Sequence, residues 1–215
     1  MVGAALADRG SRLSSLSKLA LALLCVGATA LALACTRFGA GIGGDGVAYV
    51  AGARNMQHGL GFSWVGPRGD VRPITIFGPL FPAALSGLGL LGPDPLVGAR
   101  WLNASLFGVN LALCAAILRR ATRELWAPLL GAVLVVFSPV ILSAHGGVIS
   151  EPMFLTFLLG TMILLERYLA SGRRSWLLLA AATAGLSYLT RYVGLAILAA
   201  ARAPGPSAAS IADIA

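Results

Sequence analysis

Charged residues are so sparse in this chain that they divide it into long uncharged runs: residues 19–36, 73–93, 101–118, 125–150, 152–165 and 175–190. Several of these approach the roughly 20 apolar residues that carry a helix across a bilayer core. Only 11% of the 215 residues are charged, against about 25% in soluble domains. An ordinary cytosolic enzyme is excluded. The pattern predicts an all-α, polytopic membrane protein with about five to six transmembrane helices and a long first external loop partly associated with the membrane.

The formal net charge of +8 would suggest nucleic acid in a soluble protein. Here the arginines gather at the ends of apolar runs, without interleaved aromatics, so membrane topology explains them better and no nucleic-acid partner is expected. Cys25 and Cys35 would lie about 15 Å apart on one helix, too far for a disulfide, and Cys114 stands alone. His58 and His145, the only histidines, show no metal-ligand spacing.

Topology follows from the basic residues. Arg9, Arg12 and Lys18 precede the first apolar run, which reads as an uncleaved first span with its N-terminus in the cytoplasm. Two short basic loops, Arg119-Arg120-Ala121-Thr122-Arg123 and Glu166-Arg167 through Arg173-Arg174, belong on the same side. That parity leaves one of the first three runs unable to cross. Residues 73–93 carry Pro73, Pro79, Pro82, Pro93 and four glycines, which suits an interfacial or re-entrant segment better than a span. The expected spans are therefore residues 16–36, 95–118, 125–144 and 152–169, with a final apolar segment from Trp176. Asp45 and Glu151, far apart in sequence, then face the same outer side. Fifteen residues of helix would raise Arg191 about 23 Å into a core of about 30 Å, towards the outer leaflet.

Three residues stand out for chemistry. Asp45 sits in Gly43-Gly44-Asp45-Gly46, before Tyr49, Ala53 and Met56-Gln57, a spacing that predicts a short amphipathic helix at the membrane surface. A carboxylate at its start is favoured by the helix dipole and could serve as a base. Glu151 opens a span in Ser150-Glu151-Pro152, where Ser150 as N-cap, a first-turn acid and an early proline also make an ordinary helix start. Arg191 is costly within a membrane unless paired or hydrated, and its planar fork of donors suits a lipid phosphate. The run from Gly41 to Gly46 matches a dinucleotide fingerprint only on paper, since no strand precedes it. Asn103-Ala104-Ser105 is a sequon inside a span, and Arg68-Gly69-Asp70 is read as chance.

In order along the chain stand the Gly-Asp-Gly loop with Tyr49, the cluster Phe77-Gly78-Pro79-Leu80-Phe81-Pro82, and Gly98-Ala99-Arg100-Trp101-Leu102-Asn103. Phe137-Ser138-Pro139, Ser150-Glu151-Pro152 and Leu189-Thr190-Arg191-Tyr192-Val193-Gly194 follow. This series, over roughly residues 19–198, resembles the bacterial polyprenyl-phosphate-dependent glycosyltransferases of the GT-C superfamily, relatives of protein mannosyltransferases and lipid A aminoarabinose transferases. The resemblance implies a multi-pass enzyme of the bacterial plasma (inner) membrane. It would move a sugar from a polyprenyl-phosphate donor to a lipid, glycan or protein acceptor at the outer face, among membrane lipids. It implies catalytic roles for Asp45 and Glu151, and substrate binding by Arg191, Tyr49 and Tyr192. No metal ligand is assigned, and a divalent metal stays open as a cofactor. The family often carries consecutive prolines where this chain has Gly78-Pro79, and a metal-binding Glu of some relatives has no counterpart found here. Its members are usually longer, so residues 1–201 read as the N-terminal part of the transmembrane module and 202–215 as a disordered or truncation tail. The competing reading is a non-enzymatic small transporter or lipid-binding membrane protein. A transporter would be expected to show repeated halves, and none is found.

Overall fold

The computed structural model describes residues 2–122, 124 and 126–195, with side chains from Ser15 onward. The expected boundary at 201/202 and the tail lie outside the described residues.

Helices dominate, as the uncharged runs predict. Among the described residues three are long and apolar enough to cross a membrane: the Ser15–Cys35 part of α1 (Val2–Cys35), α4 (Pro95–Thr122) and α7 (Glu151–Ser171). α5 (Ala127–Val136) and α6 (Pro139–Gly146) together form a fourth, bent by 63°. The straight span expected over residues 125–144 is thus a broken one. Pro139 cannot donate its amide to a continuing helix, and the Ser138 hydroxyl accepts from the amide of Ile141, restarting the helix in a new direction. α8 (Arg174–Thr190) has 17 residues, about 25 Å of helix, which is short of the roughly 30 Å core. The five to six expected spans therefore resolve, among the described residues, into three long helices, one broken span and this shorter one.

α1 and α4 pack closely because small residues line their contact. A Cβ on Gly108 would come within 2.6 Å of the Thr29 hydroxyl and 2.7 Å of the Cys25 carbonyl, so only glycine permits this approach. Ala28, Ala32, Ala104, Phe107 and Leu111 fill the seam, with Ala132 and Val136 of the broken span against it. Leu19, Leu23, Val26, Leu130, Leu134 and Leu178 point outward and exposed, the arrangement of helices solvated by lipid.

The long first loop folds on itself. α2 (Gly44–Gln57) matches the expected surface helix and starts one residue before Asp45. Its Tyr49, Val50 and Ala53 face is buried against Phe81 and Leu85 of α3 (Leu80–Gly89) and Ala99 of α4. That face is covered by protein, where the spacing alone suggested a membrane surface. α3, only ten residues long, fits the reading that the proline-rich run does not cross. Between α2 and α3 a small antiparallel hairpin, β1 (Ser63–Val65) and β2 (Val71–Pro73), went unanticipated, and Arg68-Gly69-Asp70 forms part of its turn.

Candidate active site

Backbone pairing at one end of the bundle joins the loops that lead into the helices carrying the two acids. The Val148 amide donates to the Gly41 carbonyl at 2.8 Å, and the Gly41 amide donates to the Gly146 carbonyl at 3.1 Å. The loop before α7 is thereby stitched to the loop before α2. Asp45 lies in the first turn of α2 and Glu151 in the first turn of α7.

Two asparagines on one face of α4 hold the α6–α7 loop. Asn103 Nδ2 donates to the carbonyls of Gly147 (2.8 Å) and Ile149 (3.0 Å). Two turns further on, Asn110 Nδ2 donates to the Pro152 carbonyl at 2.9 Å and lies 3.2 Å from His145 Nε2, while its Oδ1 accepts from Thr156 at 2.7 Å. His145 Nδ1 lies 2.8 Å from the Ile141 carbonyl, so the network assigns the proton to Nδ1 and leaves Nε2 to accept. Asn103, in the sequence both a sequon within a span and the last residue of the Gly98–Asn103 motif, is here a clamp on this loop. Asn110 is a functional position outside the sequence motifs, and its signal is an amide within an apolar run, which requires a buried partner.

Ser150 is the main correction. Its side chain makes no helix-capping bond. The fully buried hydroxyl lies 3.0 Å from the Tyr49 hydroxyl and accepts from Arg191 Nη1 at 3.3 Å. Tyr49 is held edge-on by Phe77 and Phe81, both with ring centroids 5.2 Å away. Burial pushes the Tyr49 phenol above its ordinary pKa. The Ser150 hydrogen bond and the Arg191 charge oppose that rise, and the charges of Asp45 and Glu151 add to it.

Arg191 lies outside the continuous helix expected to carry it from Trp176. α8 stops at Thr190, Arg191 takes an extended conformation (φ −148°, ψ 131°), and a 3-10 turn follows at Tyr192–Gly194. The break swings the guanidinium back to Glu151, with Nη1 2.6 Å from Oε1. Tyr192 donates its hydroxyl to the carbonyls of Thr75 (3.0 Å) and Phe77 (3.1 Å), fastening the loop before α3 onto the break. Gly78 is pressed against the carbonyls of Leu189 and Thr190, where any Cβ would collide. At this position, where the family often carries proline, the close backbone approach in this chain requires glycine.

The result is a cavity of about 250 Å³ lined by Asp45, Tyr49, Phe77, Gly78, Arg191 and Tyr192, among others. Four of the five candidate residues line it. Glu151 does not; it stands behind Arg191, and its Oε2 is shielded without a hydrogen-bond partner among the described residues. A carboxylate and a guanidinium on separate segments, with aromatic walls between them, can hold a polar ligand bearing both hydroxyls and a phosphate. Among the described residues no three His, Cys, Asp or Glu side chains come together as a metal site.

Residues 85–203, more than half of the chain, match the family of dolichyl-phosphate-mannose-protein mannosyltransferases. The chain belongs to this family. Membership places it in the GT-C superfamily and supports a membrane glycosyltransferase, which does not favour the transporter reading. Within the mannosyltransferase match lie Glu151 and Arg191, while Asp45 and Tyr49 precede it. Comparison with curated proteins and with solved structures finds no match.

Proposed function

We propose that the chain transfers a sugar from a polyprenyl-phosphate donor to a hydroxyl-bearing acceptor, at the outer face of a bacterial plasma membrane, with its N-terminus in the cytoplasm. One observation carries this reading: Asp45 and Arg191, from opposite ends of the sequence, line a single small cavity. The acceptor oxygen attacks the anomeric carbon as the bond from that carbon to the phosphate oxygen breaks, and the lipid phosphate departs with the electron pair. Attack from the face opposite the leaving group inverts the anomeric centre. Asp45 orients the acceptor hydroxyl and takes its proton. Arg191 offsets the charge that builds on the phosphate, and Glu151 with Ser150 aims the guanidinium. Tyr49 walls the cavity, and Tyr192 fastens the loop that closes it.

The test is sugar transfer in membranes supplied with labelled donor lipid. Asp45→Asn keeps the shape and removes the base, and transfer should fall by about 10²- to 10⁴-fold. Wild-type rates in that variant would falsify the assignment.

A further inference from the structure

The opposite end of the bundle contains a second cleft, and the mechanism makes no use of it. It lies between α4 and α7, has a volume of about 270 Å³, and is lined by Ile117, Arg120, Ala121, Met162 and Glu166. Its composition is divided: Ile117, Ala121 and half-exposed Met162 make an apolar wall, and Arg120 with Glu166 makes a charged rim, paired at 2.8 Å. Around that rim the positive charge is in excess. Arg119 is exposed beside Arg120, and Arg167, beside Glu166, stacks its guanidinium over the Trp176 ring at 4.8 Å. Arg173 and Arg174 follow in the adjoining turn, both exposed. None of Arg119, Arg167, Arg173 and Arg174 has an ion-pair partner among the described residues.

We propose that this cleft binds an anionic phospholipid of the surrounding leaflet, the phosphate and headgroup at Arg120 and Arg167 and an acyl chain along Ile117, Ala121 and Met162. Three observations converge on that occupant. The cleft is amphiphilic in the same sense as a lipid, apolar along the helices and charged at their ends. Four unpaired arginines outnumber the two carboxylates at this end, Glu124 and Glu166, so an anionic headgroup is attracted while a zwitterionic one gains little. Trp176, held under Arg167, is a residue type that settles at the headgroup level. Of the two opposing charges, Glu166 is already engaged with Arg120 and Glu124 is exposed in the turn after α4; together they lower the attraction without abolishing it.

Trp176 also supplies the probe. In a full-length variant carrying Trp64→Phe, Trp101→Phe and Trp126→Phe, reconstituted into vesicles, brominated phosphatidylglycerol should quench Trp176 more strongly than brominated phosphatidylcholine at equal mole fraction. Arg120→Gln and Arg167→Gln should each cut that preference by about fivefold, and high salt should weaken it. Arg167→Lys should retain it, and Glu166→Gln should raise it, a direction that misfolding does not mimic. Equal quenching by the two lipids, or a preference that survives both Arg→Gln substitutions, overturns the proposal.

Discussion

Arg191, at the broken end of α8, holds its Nη1 2.6 Å from Oε1 of Glu151, the first residue of α7. The pair is half-exposed, so it should contribute no more than about 1 kcal/mol to stability. Its consequence is directional: the guanidinium is pinned at one edge and faces the cavity with the other. Among the described residues Arg191 Nε and Nη2 have no hydrogen-bond partner. Glu151→Gln should leave thermal stability nearly unchanged, raise the KM for donor lipid and lower transfer by about tenfold, equivalent to about 1.4 kcal/mol. Arg191→Gln should cost about 10²- to 10³-fold, as for loss of a donor to a developing oxyanion. Arg191→Lys should fall between them, because it keeps charge without the fork. Initial rates and melting curves on the same membrane preparations check all three.

Ser150 should act through its neighbours. Ser150→Ala leaves the buried Tyr49 hydroxyl unpartnered, which costs about 1–3 kcal/mol, and frees Arg191 from one of its two fixed contacts. Tyr49→Phe removes the other half of the same bond. A double-mutant cycle should show the two losses to be less than additive in stability and in donor KM. Full additivity would mean that the two hydroxyls do not act as a unit.

Gly78→Ala should disable the site without unfolding the bundle. The added methyl has no room against the Leu189 and Thr190 carbonyls, so the loop must retreat from the cavity. Gly87→Ala, in the same segment, meets nothing within 4 Å and should be neutral or slightly stabilising. Circular dichroism should show full helix content in both, and only Gly78→Ala should lose transfer.

The raised pKa of Tyr49 has a definite sign in stability. Burial disfavours the phenolate, so the folded chain binds its proton more tightly than the unfolded chain does. That contribution is fully present below the ordinary value of 10.0 and is lost as pH rises through the higher folded value. Tyr49 should therefore produce no stability transition near neutrality and a fall under strongly alkaline conditions. Melting temperatures followed against pH should differ between wild type and Tyr49→Phe by a constant amount through neutrality, the cost of the lost Ser150 bond, and that difference should change only there.

Cys35 tests the orientation. It is exposed at the end of α1 that lies beside the candidate site, whereas Cys25 and Cys114 are partly buried within helices. A membrane-impermeant maleimide added to intact cells should label wild type and fail on Cys35→Ser. Labelling confined to inverted vesicles would reverse the proposed sidedness.

The sequence alone determined that the chain is a bundle of apolar helices, because uncharged runs of this length are satisfied only within a membrane. It also singled out Asp45 and Arg191, since so few charges leave each in need of a reason, and it ruled the proline-rich run out as a span. Contacts between distant segments were beyond it. The 63° bend at Ser138 depends on a local hydrogen bond that composition does not reveal. Ser150 looked like a cap because its neighbours make a helix start, yet its hydroxyl is engaged by Tyr49 and Arg191 from other parts of the chain. The break after Thr190 was invisible in an apolar stretch, because it is held by Tyr192 bonding to the first loop and Gly78 packing onto the helix end. Hydropathy is a property of one segment at a time. The cavity depends on which segments touch, and only the tertiary structure decided that.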